Sequence, residues 1–235
     1  MTAKNIKQQL LAFGNPEKAE HAKYFFKTGK GQYGEGDKFI GCTVPESRSV
    51  ARANKNLSLA ELQKLLNDEM HECRFCALVI LTEQFKKGDE EKRKEIVDFY
   101  LANTHRINNW DLVDVSAYNI VGEWLRNKHR SLIYRLAESD NLWEQRIAIV
   151  STLAFIRNND FTDTLKLSEK FLSHRHDLMH KACGWMLREA GKRDEKSLTG
   201  FLDAHHREMP RTMLRYAIEK LSPQQQSQYR MALSK

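Results

Sequence analysis

Apolar residues return every three to four positions along nearly the whole chain, with charged and amide residues between them. This spacing predicts helices almost throughout. Local end signals agree. The stretch SLAELQKLLND opens with Ser58 and Glu61 in the arrangement of a capping box, where each satisfies an orphan backbone N–H of the other. DEEKRKEIVDFYLANTH starts acidic and ends basic, the order a helix dipole favours. NPEKAEHAKYFFK places Pro16 directly after Asn15, an N-cap followed by a residue whose missing N–H does no harm there. The only long irregular stretch is the glycine-rich TGKGQYGEGDKFIGCTVPE.

A repeat emerges when segments are aligned on one small residue. HECRFCALVIL, WDLVDVSAYNIV, WEQRIAIVSTL, LMHKACGWML and RTMLRYAIEKL place Ala77, Ala117, Ala148, Ala182 and Ala217 at spacings of 40, 31, 34 and 35 residues. Helix-ending phrases of one type lie between them: FYLANTHRINN, LIYRLAESDN, KFLSHRHD and GFLDAHHREM. Helix pairs at this period mark a HEAT-like array, with the alanine as the point where helices approach closely. The expected fold class is therefore all-α, a curved α-solenoid of HEAT-like repeats forming one domain over residues 1–235. Partners of such stacks usually bind the concave face.

Composition narrows the class. Of the 235 residues, 41% are hydrophobic and 29% charged, which reads as soluble and globular, and 4 prolines leave little room for a loop-rich β architecture. No apolar run approaches the ~18 residues of a membrane span, and MTAKNIKQQLLAFG lacks the apolar core of a signal peptide. Cys42, Cys73, Cys76 and Cys183 make no disulfide framework for a chain of this length. These features predict an intracellular, cytoplasmic protein, monomeric by default. The net charge of +7 favours polyanions such as nucleic acid.

Three residues break the local pattern. On a helical wheel Asp114 shares a face with Trp110, Ala117 and Val121, where a carboxylate carries a desolvation cost of several kcal/mol unless something compensates it. Arg146 is surrounded by apolar Leu142, Trp143, Val150 and Leu153, and Trp185 is a large aromatic beside Lys181, Arg188 and Glu189. Two readings follow from periodicity. Either Asp114 and Arg146 form a salt bridge between repeats with the tryptophans as packing, or the acid, the arginine and the two tryptophans line one concave surface. Arg188, Lys192, Arg193, Arg211 and Arg215 form a candidate stripe for phosphates. Other signals are weaker. His176, His180 and Cys183 have helical metal-ligand spacing but sit in an ordinary repeat helix. CRFC lacks a second cysteine pair and reads as two buried thiols, and TGKGQYGEG lacks the order of a P-loop, so it reads as a structural loop or one touching DNA.

NNWDLVD, NLWEQRIAIVST and KACGWMLREAGK, in that order, resemble the DNA alkylation repair family of AlkD-type DNA glycosylases. The segments NPEKAEHAKYFFKTGKGQYGEGDKFIGCTVPESR, HECRFCALVIL and PRTMLRYAIEKL extend the likeness over nearly the whole chain. The resemblance implies a HEAT-like glycosylase that excises positively charged alkylated purines, such as 3-methyladenine and 7-methylguanine, from double-stranded DNA in base excision repair. It further implies that Asp114 is the catalytic carboxylate, Trp110 and Trp185 active-site aromatics, and Arg146 a contact to the DNA backbone. No metal or organic cofactor is implied. The rival is a non-catalytic HEAT-like scaffold binding DNA or protein, for which a carboxylate facing a polyanion has no use.

Overall fold

The computed structural model describes residues 1–231. The described residues form helices, and the one strand-like feature among them is an isolated bridge between Lys38 and Met70. The chain folds as two compact units, Met1–Ile120 and Val121–Lys235. No described helix is long and apolar enough to cross a membrane.

The first unit comprises α1 (Ala3–Leu11), α2 (Pro16–Phe25), α3 (Val44–Ala53), α4 (Leu59–Leu66), α5 (His71–Lys87), α6 (Glu90–Ala102) and α7 (Trp110–Ala117). Its centre is α5, which packs against α1, α3, α4, α6 and α7. From His71 through Thr82 every residue of α5 is buried, the polar His71, Glu72, Arg74 and Thr82 among them. Asn15 caps α2 by accepting the Lys18 N–H at 2.9 Å, with Pro16 following as the sequence predicts. The expected box at Ser58 forms only in part. Ser58 accepts the Glu61 N–H, but the Glu61 carboxylate turns to the Ala3 N–H at 2.7 Å, because the first turn of α1 packs there with donors of its own to satisfy. The basic end expected of α6 also separates. The helix stops at Ala102, and His105 and Arg106 lie in a 3-10 turn, Thr104–Arg106. Arg106 there donates to the carbonyls of Leu66 and Asp68, both at 2.8 Å, closing the end of α4 instead.

The second unit holds α8 (Glu123–Leu125), α9 (Ser131–Ala137), α10 (Leu142–Ser151), α11 (Leu153–Ile156), α12 (Thr162–Lys170), α13 (Asp177–Gly191), α14 (Glu195–His205), α15 (Arg211–Ala217) and α16 (Pro223–Met231). Here α10 packs on α13 and α13 on α15, while α9, α12 and α14 cover them. The alanine register predicts these adjacent helices. Ala77 is 1% exposed, and Ala117, Ala148, Ala182 and Ala217 are fully buried. Beside Ala182, Gly184 marks the closest approach: a Cβ there would stand 2.5 Å from the Met213 carbonyl oxygen and 2.6 Å from the Tyr216 Cβ. Only glycine lets α15 lie so near α13.

Candidate functional site

The candidate residues fall in two groups, one in each unit. In the first unit, α7 begins at Asn109, a fully buried N-cap whose side-chain oxygen accepts the Trp110 N–H at 2.9 Å. The wheel drawn from sequence puts Asp114 on a buried face, and the structure does not. Trp110, Asp111, Asp114 and Tyr118 are all partly exposed, whereas Ala117 and Val121 are buried. The reason is local. Ala117 is already rotated sixty-odd degrees towards the core, and a π-helical turn over Tyr118–Gly122 breaks the register before Val121. Asp114 and Trp110 thus share one accessible stripe. The Asp114 charge is felt by the buried Tyr100, whose hydroxyl is pushed above its usual range, first by burial and then by that carboxylate, against the lowering effect of its bond to Ser116. The Ser116 hydroxyl donates to the Leu112 carbonyl at 2.6 Å, so Tyr100 must donate to Ser116 at 3.0 Å.

Trp110 is held by the end of α2. Phe26 stacks on it at 5.4 Å and Phe25 meets it edge-on at 5.8 Å. Phe26 also packs on Phe39 at 5.2 Å and on His71 at 4.8 Å. Sequence reasoning missed the polar layer beneath. His71 Nδ1 lies 3.1 Å from Asp37 Oδ2 and its Nε2 lies 2.8 Å from Asp111 Oδ2. Arg74 donates to Asp37 Oδ1 at 2.5 Å, and Asn109 donates to Asp37 Oδ2 at 3.3 Å. Burial drives His71 towards neutrality, but the Asp111 charge and the hydrogen bonds to both carboxylates overcome it and raise the imidazole from 6.5 to about 9. Burial raises the Asp37 carboxyl, yet His71 and Arg74 together hold it below its ordinary value. The available signal was His71, Glu72 and Arg74 in an otherwise apolar helix.

The same layer explains the glycine-rich segment. The Glu72 carboxylate accepts the N–H groups of Ile40 at 2.9 Å and Gly41 at 2.8 Å, and Gly41 adopts φ +88, where a side chain would collide with the Asn15 carbonyl. Residues 37 to 41 are therefore pinned to α5 by acids and serve as a structural strap. Cys73 and Cys76 are buried thiols, both raised by burial, Cys76 to about 12.

In the second unit, Trp185 is partly exposed on α13 and lines a pocket of about 240 Å³ with Leu153, Ile156, Arg157, Glu189 and Arg193. Arg146 is only 4% exposed, and its Nη1 donates to the Leu178 carbonyl at 2.6 Å, joining α10 to the first turn of α13. Arg188 pairs with Glu219 and Glu189, and Lys192 pairs with Glu189 at 2.7 Å. Arg211 and Arg215 are exposed one turn apart on α15. Of the expected basic stripe, Arg211 and Arg215 are thus exposed on α15, Arg188 on α13 and Lys192 at its C-cap already face carboxylates, and Arg193 lines the pocket beside Trp185. No group of three or more His, Cys, Asp or Glu among the described residues is placed to hold a metal ion.

A family model described as DNA alkylation repair enzyme matches residues 6–221. The solved structure of a predicted DNA alkylation repair enzyme from Enterococcus faecalis is similar, with a TM-score of 0.68 and 16% identity over 89% of this chain and 97% of that one. At that identity the likeness is one of fold. No curated protein matches.

Proposed function

Because the chain belongs to the DNA alkylation repair enzyme family, we propose that it is a monofunctional DNA glycosylase acting on cationic N3- and N7-alkylpurines in duplex DNA, built as a single HEAT-like repeat domain. The observation that carries this reading is Asp114 on the accessible stripe of α7, one turn from Trp110. A purine alkylated at N3 or N7 already bears positive charge, so its glycosidic bond is weak and the base leaves neutral without being protonated. What remains is to stabilise the oxocarbenium-like sugar and to place a water beside it. One ionised, half-buried carboxylate serves both ends, since its attraction for a developing cation grows as water is excluded. Trp110 and Trp185 offer their ring faces to cationic centres, a contact of about 0.5–2 kcal/mol each. Phosphate contacts come from Arg211 and Arg215, with Arg188 and Lys192 exchanging Glu189 and Glu219 for the backbone.

Arg146 admits a second reading for a specific reason. The resemblance makes it a backbone contact, whereas its 4% exposure and its bond to the Leu178 carbonyl favour a part in holding the helix that carries Trp185. The reaction itself is tested by release of 7-methylguanine from methylated duplex, comparing the protein with its Asp114→Asn variant. Equal release by both would end the proposal.

A further inference from the structure

The buried ionisable group at the start of α5 has no part in the chemistry just proposed, yet it ends on the turn that bears it. Both ring nitrogens of His71 face carboxylate oxygens, Asp37 on the glycine-rich strap and Asp111 on α7, and the side chain is 4% exposed. A neutral imidazole has one donor and would set its bare nitrogen against an acceptor; only the imidazolium donates to both. Buried ionic clusters add little net stability compared with apolar packing, so filling the space does not account for the choice of residues. Three of the cluster's contacts lead instead to the first turn of α7. Asn109, its cap, bonds Asp37; Asp111 bonds His71; and Phe26 touches His71 on one side and Trp110 on the other.

We propose that His71 is a positioning residue, which acts through Asp111 and Phe26 to set Trp110 and Asp114 for the reaction. The inference rests on the glycosylase reading of those two residues. The groups facing His71 are Asp37 and Phe39 from the strap, Asp111 from α7, Arg74 one turn along α5, and Phe26 from the end of α2. The ring is thus a charged hinge pin between three segments, with its two protons directed at two acids.

The test uses His71→Gln, Asp111→Asn and the double variant in the full chain. Two readouts are taken at a temperature where thermal melts show each protein folded: single-turnover release of 7-methylguanine, and Trp110 fluorescence obtained by subtracting the matching Trp110→Phe protein. His71→Gln is expected to slow release about tenfold with the Kd for DNA changed less than twofold, and adding Asp111→Asn is expected to cost little more, because both act through one contact. Trp110 emission of the unmodified protein is expected to shift between pH 7 and 10 with a midpoint near 9, and to stay flat in His71→Gln. Undiminished release by a folded His71→Gln overturns the inference, as does additive loss in the double variant. Should His71→Gln fail to fold, Asp111→Asn, at the more exposed end of the pair, carries both readouts. Should the unmodified protein release no base, the glycosylase reading fails on its own, and a Trp110 signal indifferent to His71→Gln then overturns the positioning role separately.

Discussion

The indole of Trp110 lies against the ring of Phe26 at 5.4 Å, with only 21° between their planes. One face of the tryptophan is therefore covered by Phe26 of its own unit. Phe26→Ala removes the backing and an aromatic contact of about 0.5–1.5 kcal/mol. Acrylamide quenching of Trp110 is expected to rise and release of 7-methylguanine to fall roughly five- to tenfold, in proportion to a contact of that size. Unchanged quenching would show that Phe26 does not hold the indole in solution.

Asp114→Asn keeps size and removes charge. Excision is expected to fall by about a hundredfold or more, the equivalent of some 3 kcal/mol of transition-state stabilisation. Binding to undamaged duplex is expected to hold or tighten, since an anion facing phosphate is gone. A gel-shift titration beside the release assay reads both.

Substrate charge is the next check. A carboxylate that acts by stabilising a developing cation helps only a base that leaves without protonation. Oligonucleotides carrying 7-methylguanine or 3-methyladenine are expected to lose the base, and those carrying uracil, hypoxanthine or ethenoadenine to keep it. Efficient uracil release would contradict the mechanism.

Arg146 and the α15 arginines separate by salt dependence. Arg211→Ala with Arg215→Ala is expected to flatten the slope of log K against log salt by about two, since each arginine that no longer neutralises a phosphate releases one counterion fewer. Arg146→Ala is expected to leave the slope unaltered and to lower stability by roughly 1–3 kcal/mol, because a buried side chain and its bond from α10 to the first turn of α13 are then lost. A slope flattened by about one would return Arg146 to the DNA backbone.

Stability should carry the mark of the polar layer. His71 is raised from 6.5 in the unfolded chain to about 9 in the fold, so its contribution is complete below pH 6.5 and is lost as pH climbs through 9. Asp37 is held below its ordinary 3.8, so its contribution is present above that value and lost on acidification. Urea denaturation is expected to show a plateau between about pH 5 and 6.5 that declines towards pH 9, with that decline absent in His71→Gln, whereas above 9 both proteins lose stability as the thiols of Cys73 and Cys76, raised by burial in the fold, ionise in the unfolded chain.

Much of this was legible along the chain. The five alanines picked out by their spacing are all buried, because a small residue on the inner side of a helix is what lets a neighbour pack closely, and periodicity reports that directly. Asp114 and Arg146 stood out because charge in an apolar setting breaks a local pattern. Three things were out of reach. The π turn after Ala117 has no periodic signature in so short a span, so the wheel placed Asp114 on the wrong side of the accessible boundary. Glu61 obeyed its local motif less than a neighbour distant in sequence, the Ala3 N–H. The Asp37–His71–Asp111 cluster joins residues 34 and 40 positions apart, and pairing over such distances leaves no mark on local spacing.

The missing side chain at Gly184 has a mechanical outcome for the second unit. With Met213 and Tyr216 pressed against its backbone, α15 has no layer of flexible groups on which to slide over α13. Trp185 is the next residue, and Arg211 and Arg215 ride on the partner helix, so the spacing between the backbones that carry the indole and the two arginines is set as in a caliper whose jaws are locked. Under the function proposed above, that fixed spacing is a gauge that a duplex held by this unit has to match.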